Sequence, residues 1–171
     1  MNNMYHKNSK LIIEEISDII SKVSLKQTDT LINQILTSNR IFLIAIGRVN
    51  LSLQCFGKRL AHLGLKIELV GSLTEKPASK GDLLIVASGS GESIVPLEIT
   101  KKAKKIGCKI LHITSAKKSS IRKLANYVVE LNTPTKKIKI KMKESLSDSI
   151  SKTKTSIQPM SKNIRELETL M

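Results

Sequence analysis

The feature that most constrains this chain is the recurrence of uninterrupted apolar runs of strand length. They are Ile41-Phe42-Leu43-Ile44-Ala45-Ile46, Leu83-Leu84-Ile85-Val86-Ala87 and Ile110-Leu111-His112-Ile113. A run that is apolar at every position has no face left for water, so each reads as a strand covered on both sides in a parallel sheet. Between the runs lie amphipathic stretches of helical length, and strands alternating with helices predict a doubly wound α/β fold.

The spacing predicts strands over residues 41–46, 66–71, 82–87, 109–114 and 128–131, with helices over 51–63, 94–106 and 119–127. Gly64 and Gly107 stand where the first two of these helices would stop. Upstream, the apolar stripe over 11–23 predicts a helix. A second over 27–36, with Thr28 or Asp29 as its cap, makes the pair an N-terminal helical hairpin. The expected organisation is an N-terminal tail at 1–9, an α/β domain at 10–132 with a five-stranded parallel sheet, and a basic C-terminal segment at 133–171. That segment reads as extended and exposed, or as a lone edge strand where Lys alternates with Ile over 136–143.

At 171 residues and 40% hydrophobic composition, the chain suffices for one domain with a real core. No run reaches the roughly 18–20 apolar residues of a membrane span, and the first residues lack a signal-peptide core, so a cytoplasmic protein without a membrane partner is expected. Cys55 and Cys108 have no metal-ligating neighbours at useful spacing and are expected to be buried free thiols. His6, His62 and His112 are scattered, and His62 reads as packing or interface, so no metal is expected. The net charge of +15 favours anionic partners. With two Phe, two Tyr and no Trp there is little for bases to stack on, and nucleic acid is not the expected partner. Nine basic residues and no acid between Lys101 and Lys123 read as a solvated face that also steers anions.

The chemistry concentrates in Ser88-Gly89-Ser90-Gly91-Glu92-Ser93, between a buried strand and a helix. Glycines allow a tight turn, successive N–H groups converge, and a helix N-terminus adds positive partial charge, while three hydroxyls donate without fixed charge. Such a loop suits a phosphate. The same serines also suit turn and cap hydrogen bonds, with Ser90 or Ser93 as the cap, and spacing alone does not separate the two. Neither Gly-x-Gly-x-x-Gly nor a Gly-Lys-Ser/Thr ending is present, so dinucleotides and ATP are not expected.

Together with Gly47-Arg48, Phe56-Gly57-Lys58-Arg59-Leu60-Ala61-His62-Leu63-Gly64, Val70-Gly71 and Lys101-Lys102-Ala103-Lys104-Lys105-Ile106-Gly107, this loop resembles the sugar isomerase (SIS) domain family, and within it the 6-phospho-3-hexuloisomerases. The similarity spans roughly residues 10 to 132. It implies a flavodoxin-like sheet, a homo-oligomer (dimer or tetramer), and a phosphorylated sugar held at its phosphate by Ser88, Ser90, Gly91 and Ser93. Gly47, Arg48 and Asn50 would lie against the rest of the substrate; Arg48 reads equally as one side of a surface or inter-subunit salt bridge. No metal or organic cofactor is implied.

The chain departs from the family pattern at two places. Val49-Asn50 replaces the usual Ser-Gly after Gly47-Arg48. After Gln158-Pro159-Met160 the family's Phe-Glu helix is replaced by a short ending that reads as truncated or substituted, in which Glu166 and Glu168 do not align with the missing carboxylate. Moving a carbonyl between adjacent sugar carbons removes one C–H proton and returns it through an enediol, which needs a base. Glu75 and Glu92 are the nearest carboxylates by loop position. A non-catalytic, regulatory phosphosugar-binding domain is the other reading.

Overall fold

The computed structural model describes residues 2–133. Five parallel strands, β1 (Ile41–Ile44), β2 (Ile67–Leu69), β3 (Leu83–Ala87), β4 (Lys109–Thr114) and β5 (Tyr127–Glu130), form one sheet in the order β2-β1-β3-β4-β5. The pairing runs Ile41 to Ile67, Ile41 to Leu83, Leu83 to Lys109 and Leu111 to Tyr127. Every residue of β1 and β3 is buried, which is why their sequences carry no polar alternation.

Within the unit spanning Val23–Leu131, helices α2 (Leu25–Thr37) and α3 (Arg48–His62) cover one face of the sheet. That face is lined by Leu43, Leu83, Ile85 and Leu111, against which Ile35, Leu53 and Leu60 pack. Helices α4 (Ile94–Ile106) and α5 (Ser120–Leu124) cover the other face, where Ala103 and Ile121 meet Phe42, Ile44, Leu84, Val86 and Ile110. Each fully buried aliphatic side chain contributes about 1.5–3 kcal/mol.

A separate unit contains α1 (Asn2–Ser21). It begins well before residue 11, so the stretch read as an N-terminal tail is helical: Asn2 to Lys10 contain no Gly or Pro to stop the helix from extending upstream of its apolar stripe. α2 is capped not by Thr28 or Asp29 but by Ser24, whose hydroxyl accepts the Gln27 N–H.

α4 and β4 run as their patterns dictate, and α4 stops at Gly107, whose N–H returns to the Ala103 and Lys104 carbonyls. α5 is shorter than expected. Asn126 exchanges hydrogen bonds with the backbone of Ile110, through Oδ1 at 2.9 Å and through its own N–H at 2.9 Å, and this draws Tyr127 into β5 rather than the helix. Cys108 is buried as expected, but Cys55 is exposed, because its position on α3 faces away from Leu53, Gly57 and Leu60. His62 is exposed at the end of α3. Among the described residues no helix is long and apolar enough to cross a membrane. The C-terminal segment from 134 on lies outside the described residues.

Candidate functional site

In this strand order the chain leaves β1 toward one edge of the sheet and returns to place β3 on the other side of β1, so the crevice beyond their C-terminal ends is the topological switch point. The turn at Gly47 and the serine loop both leave the sheet there, on adjacent parallel strands. Gly47 caps α3 with φ 62°, a backbone conformation that a side chain would resist. Arg48 opens α3 and is exposed; Asn50 is half-buried, its N–H donating to the Gly47 carbonyl at 2.9 Å.

The serine loop is tied to the β4–α5 side by its carbonyls. The Ser88 carbonyl accepts from Gly91 N–H at 3.2 Å and faces His112 Nε2 at 3.3 Å. The Gly89 carbonyl accepts from Ser115 N–H at 3.3 Å and the Thr114 hydroxyl at 3.2 Å, and the Gly91 carbonyl from Ile121 N–H at 3.2 Å. In a trans peptide the C=O and the following N–H point in opposite directions. Pinning the carbonyls of Ser88 and Gly89 toward β4 therefore turns the N–H groups of Gly89 and Ser90 the other way. Those two N–H groups and that of Ser93 have no acceptor among the described residues.

The hydroxyls of Ser88 and Ser90 make turn bonds within the loop. Ser88 Oγ accepts the Gly91 N–H at 3.1 Å and lies 3.4 Å from Ser93 Oγ, while Ser90 Oγ accepts the Glu92 N–H at 3.3 Å. These are turn bonds, yet a hydroxyl that accepts still has its proton to donate. Ser93 occupies the N-cap position of α4 but its side chain makes no cap bond. The 13-residue helix α4 thus starts at this loop with its positive end toward the crevice.

Gly91 is where the packing is tightest. Its φ is +63°, and a Cβ there would collide with Ser119 Oγ and lie 2.5 Å from Ser119 Cβ and 3.0 Å from His112 Cε1. Only glycine lets the loop sit this close to β4 and the start of α5.

The two carboxylates are both engaged by backbone. Glu92 is exposed and its Oε1 accepts the Ser120 N–H at 2.9 Å, next to an open depression of about 420 Å³ lined also by Lys117, Lys118, Arg122 and Lys123. Glu75 accepts the Gly71 N–H at 2.7 Å, in the turn that follows the C-terminal end of β2, and lines a different cavity, of about 250 Å³, with Phe42, Leu84 and Cys108. Arg122 is held by Glu130 at 2.9 Å and by the Ala116 carbonyl at 3.1 Å, whereas the lysines between Lys101 and Lys123 are exposed. Among the described residues no cluster of metal-ligating side chains occurs.

His112 is the residue that sequence reasoning passed over. It is fully buried in β4, and burial lowers its pKa to about 4, the nearby Arg122 adding to the effect against the Ser88 hydrogen bond. Its only sequence signal is a polar ring inside an apolar strand.

Residues 34–154 match the model of the SIS domain family. The chain is 37% identical over 122 residues to 3-hexulose-6-phosphate isomerase of Mycobacterium gastri, a match covering 71% of this chain and 61% of that protein. It therefore spans about three fifths of that relative's length. A Methanococcus jannaschii crystal structure, described as inferring a molecular function of 3-hexulose-6-phosphate isomerase, superposes with a TM-score of 0.62 at 30% identity, covering 80% of this chain and 75% of that one. The Vibrio vulnificus NanR protein, solved in complex with ManNAc-6P, shares the fold at a TM-score of 0.68 and 16% identity, over 78% of this chain and 53% of that one.

Proposed function

This chain belongs to the SIS domain family, and on that premise we propose that it binds a phosphorylated sugar and isomerises it, interconverting a 3-hexulose 6-phosphate and fructose 6-phosphate through an enediol. The observation that carries the reading is the orientation of the serine loop. Its carbonyls are bonded toward β4 and α5, which leaves the N–H groups of Gly89, Ser90 and Ser93 and the hydroxyls of Ser88, Ser90 and Ser93 for an anion at the positive end of α4. The sugar would extend toward Gly47, Arg48 and Asn50 on the neighbouring strand end. Relatives named 3-hexulose-6-phosphate isomerase support the reaction, and the complex of NanR with ManNAc-6P supports the ligand class. A homo-oligomer belongs to the same proposal.

Isomerisation needs a base that takes a proton from one sugar carbon and returns it to the adjacent one. Glu92 lies next to the loop, but its carboxylate holds the start of α5; Glu75 holds the turn after β2. Both engagements favour a second reading, a phosphosugar-binding domain without turnover, in which neither carboxylate leaves its backbone partner.

A thermal-shift titration with fructose 6-phosphate against sulfate, on the native chain and on Ser88→Ala, tests the binding. At about 100 times its dissociation constant a selective ligand stabilises a fold by about 2.7 kcal/mol. The expected result is a sugar-phosphate shift beyond that of sulfate, lost in Ser88→Ala. A shift no larger than sulfate's overturns the reading. An isomerase assay then separates the two readings, with absent turnover in a binding-competent chain establishing the second.

A further inference from the structure

His112 has no part in the reading above, and it is costly to keep. A leucine would fill a buried strand position between Val86 and Val128 with no polar group to desolvate. Instead the strand holds an imidazole with no exposed surface, whose Nδ1 is buried without a hydrogen-bond partner among the described residues. Among the described residues its hydrogen-bond contact is Nε2 to the Ser88 carbonyl at 3.3 Å. A carbonyl oxygen can only accept, so this contact calls for a proton on Nε2, and in the neutral ring that burial favours the lone pair is then on Nδ1. The ring edge also fills the space beneath Gly91, where an added Cβ would stand 3.0 Å from Cε1.

The Ser88 carbonyl belongs to the same peptide unit as the Gly89 N–H. Whatever fixes that carbonyl sets the direction of the first N–H in the loop. Gly91 N–H also donates to this carbonyl, at 3.2 Å, but it belongs to the loop and moves with it. His112 donates from the sheet. Resting on the phosphosugar reading, we propose that His112 is a positioning residue, whose Nε2–H anchors the Ser88–Gly89 peptide to β4 and holds the loop in its phosphate-accepting orientation before ligand arrives.

The position favours this over a packing role. Val86 and Val128, its partners on the neighbouring strands, are apolar, and the sheet is complete without a polar group there. The loop, by contrast, obtains from this ring a hydrogen bond that no apolar residue supplies. Preorganisation of that kind lowers the ordering cost of binding.

The test compares His112→Leu, which keeps bulk and removes the donor, with His112→Gln, whose side-chain amide can donate from near the position of Nε2. Each is titrated calorimetrically with fructose 6-phosphate, alongside the native chain and Ser88→Ala. The expected result is a dissociation constant raised about tenfold in His112→Leu, the loss of roughly one hydrogen bond, and returned to within about threefold of native in His112→Gln. Native affinity in His112→Leu overturns the positioning role alone. Absence of binding by the native chain overturns the phosphosugar reading and this role with it.

Nitrogen-15 spectra of the native chain, with the His112 signals identified from their loss in His112→Gln, supply a readout independent of the Leu variant's folding. The expected ring is protonated at Nε2 and moves at that nitrogen when fructose 6-phosphate is added. A ring protonated at Nδ1 cannot donate to Ser88 and would overturn the proposal.

Discussion

A single buried imidazole sets a pH dependence on this fold. The pKa of His112 falls from the ordinary 6.5 to about 4 on folding, first because the ring is desolvated. Between those values the unfolded chain binds a proton that the folded chain does not, so stability is full above about pH 6.5, falls as pH drops toward 4, and levels off below it. The native chain is expected to lose about 2 kcal/mol more than His112→Gln between pH 7 and pH 5 in urea denaturation. Parallel pH dependences in the two proteins would show that the ring titrates normally. The serines and Gly91 could be picked out from sequence because loop chemistry is local: glycines and hydroxyls six residues deep between a strand and a helix. His112 could not, since its partner lies 24 residues away and only strand pairing brings them together.

At the level of elements, the β3–α4 loop of the candidate site is braced against the turn from β4 into α5. Gly91 is the point where these two segments touch, and its positive φ and its contact with Ser119 are separate obstacles to any side chain. Gly91→Ala should therefore destabilise the fold by about 3 kcal/mol, combining backbone strain with overpacking, and should abolish the sugar-phosphate shift. Urea denaturation checks the first and the thermal titration the second; an alanine tolerated within a few tenths of a kcal/mol would mean that the loop relaxes freely. The boundaries of α4 and β4 followed from their patterns because Ser93 and Gly107 punctuate them. α5 did not, because the Asn126 hydrogen bonds to β4 outweigh the helical preference of the residues before Tyr127.

Over the whole molecule the dominant fact is charge. A net +15 on 171 residues is self-repelling, and ion pairs such as Lys22–Asp18 and Lys101–Glu98 lie on exposed helix surfaces where each adds little. Screening that repulsion should stabilise the fold, so raising sodium chloride from about 0.05 M to about 0.5 M is expected to raise the melting temperature by roughly 3–5 °C. A flat or falling melting temperature would show that the repulsion does not limit stability. The same salt should weaken sugar-phosphate binding to the extent that the lysines around the Glu92 depression attract the ligand.

The amino-acid sequence alone determined the alternation of buried strands and amphipathic helices, the parallel sheet and the loop that faces the crevice. Each of these depends on burial and on turn chemistry that neighbouring residues dictate. Only the tertiary structure decided that β2 and β3 lie on opposite sides of β1, which of the loop's polar groups are already engaged, and that Glu75 and Glu92 each hold a backbone N–H. Those outcomes depend on pairings between residues distant along the chain, and the pattern of any one segment carries no record of its partner.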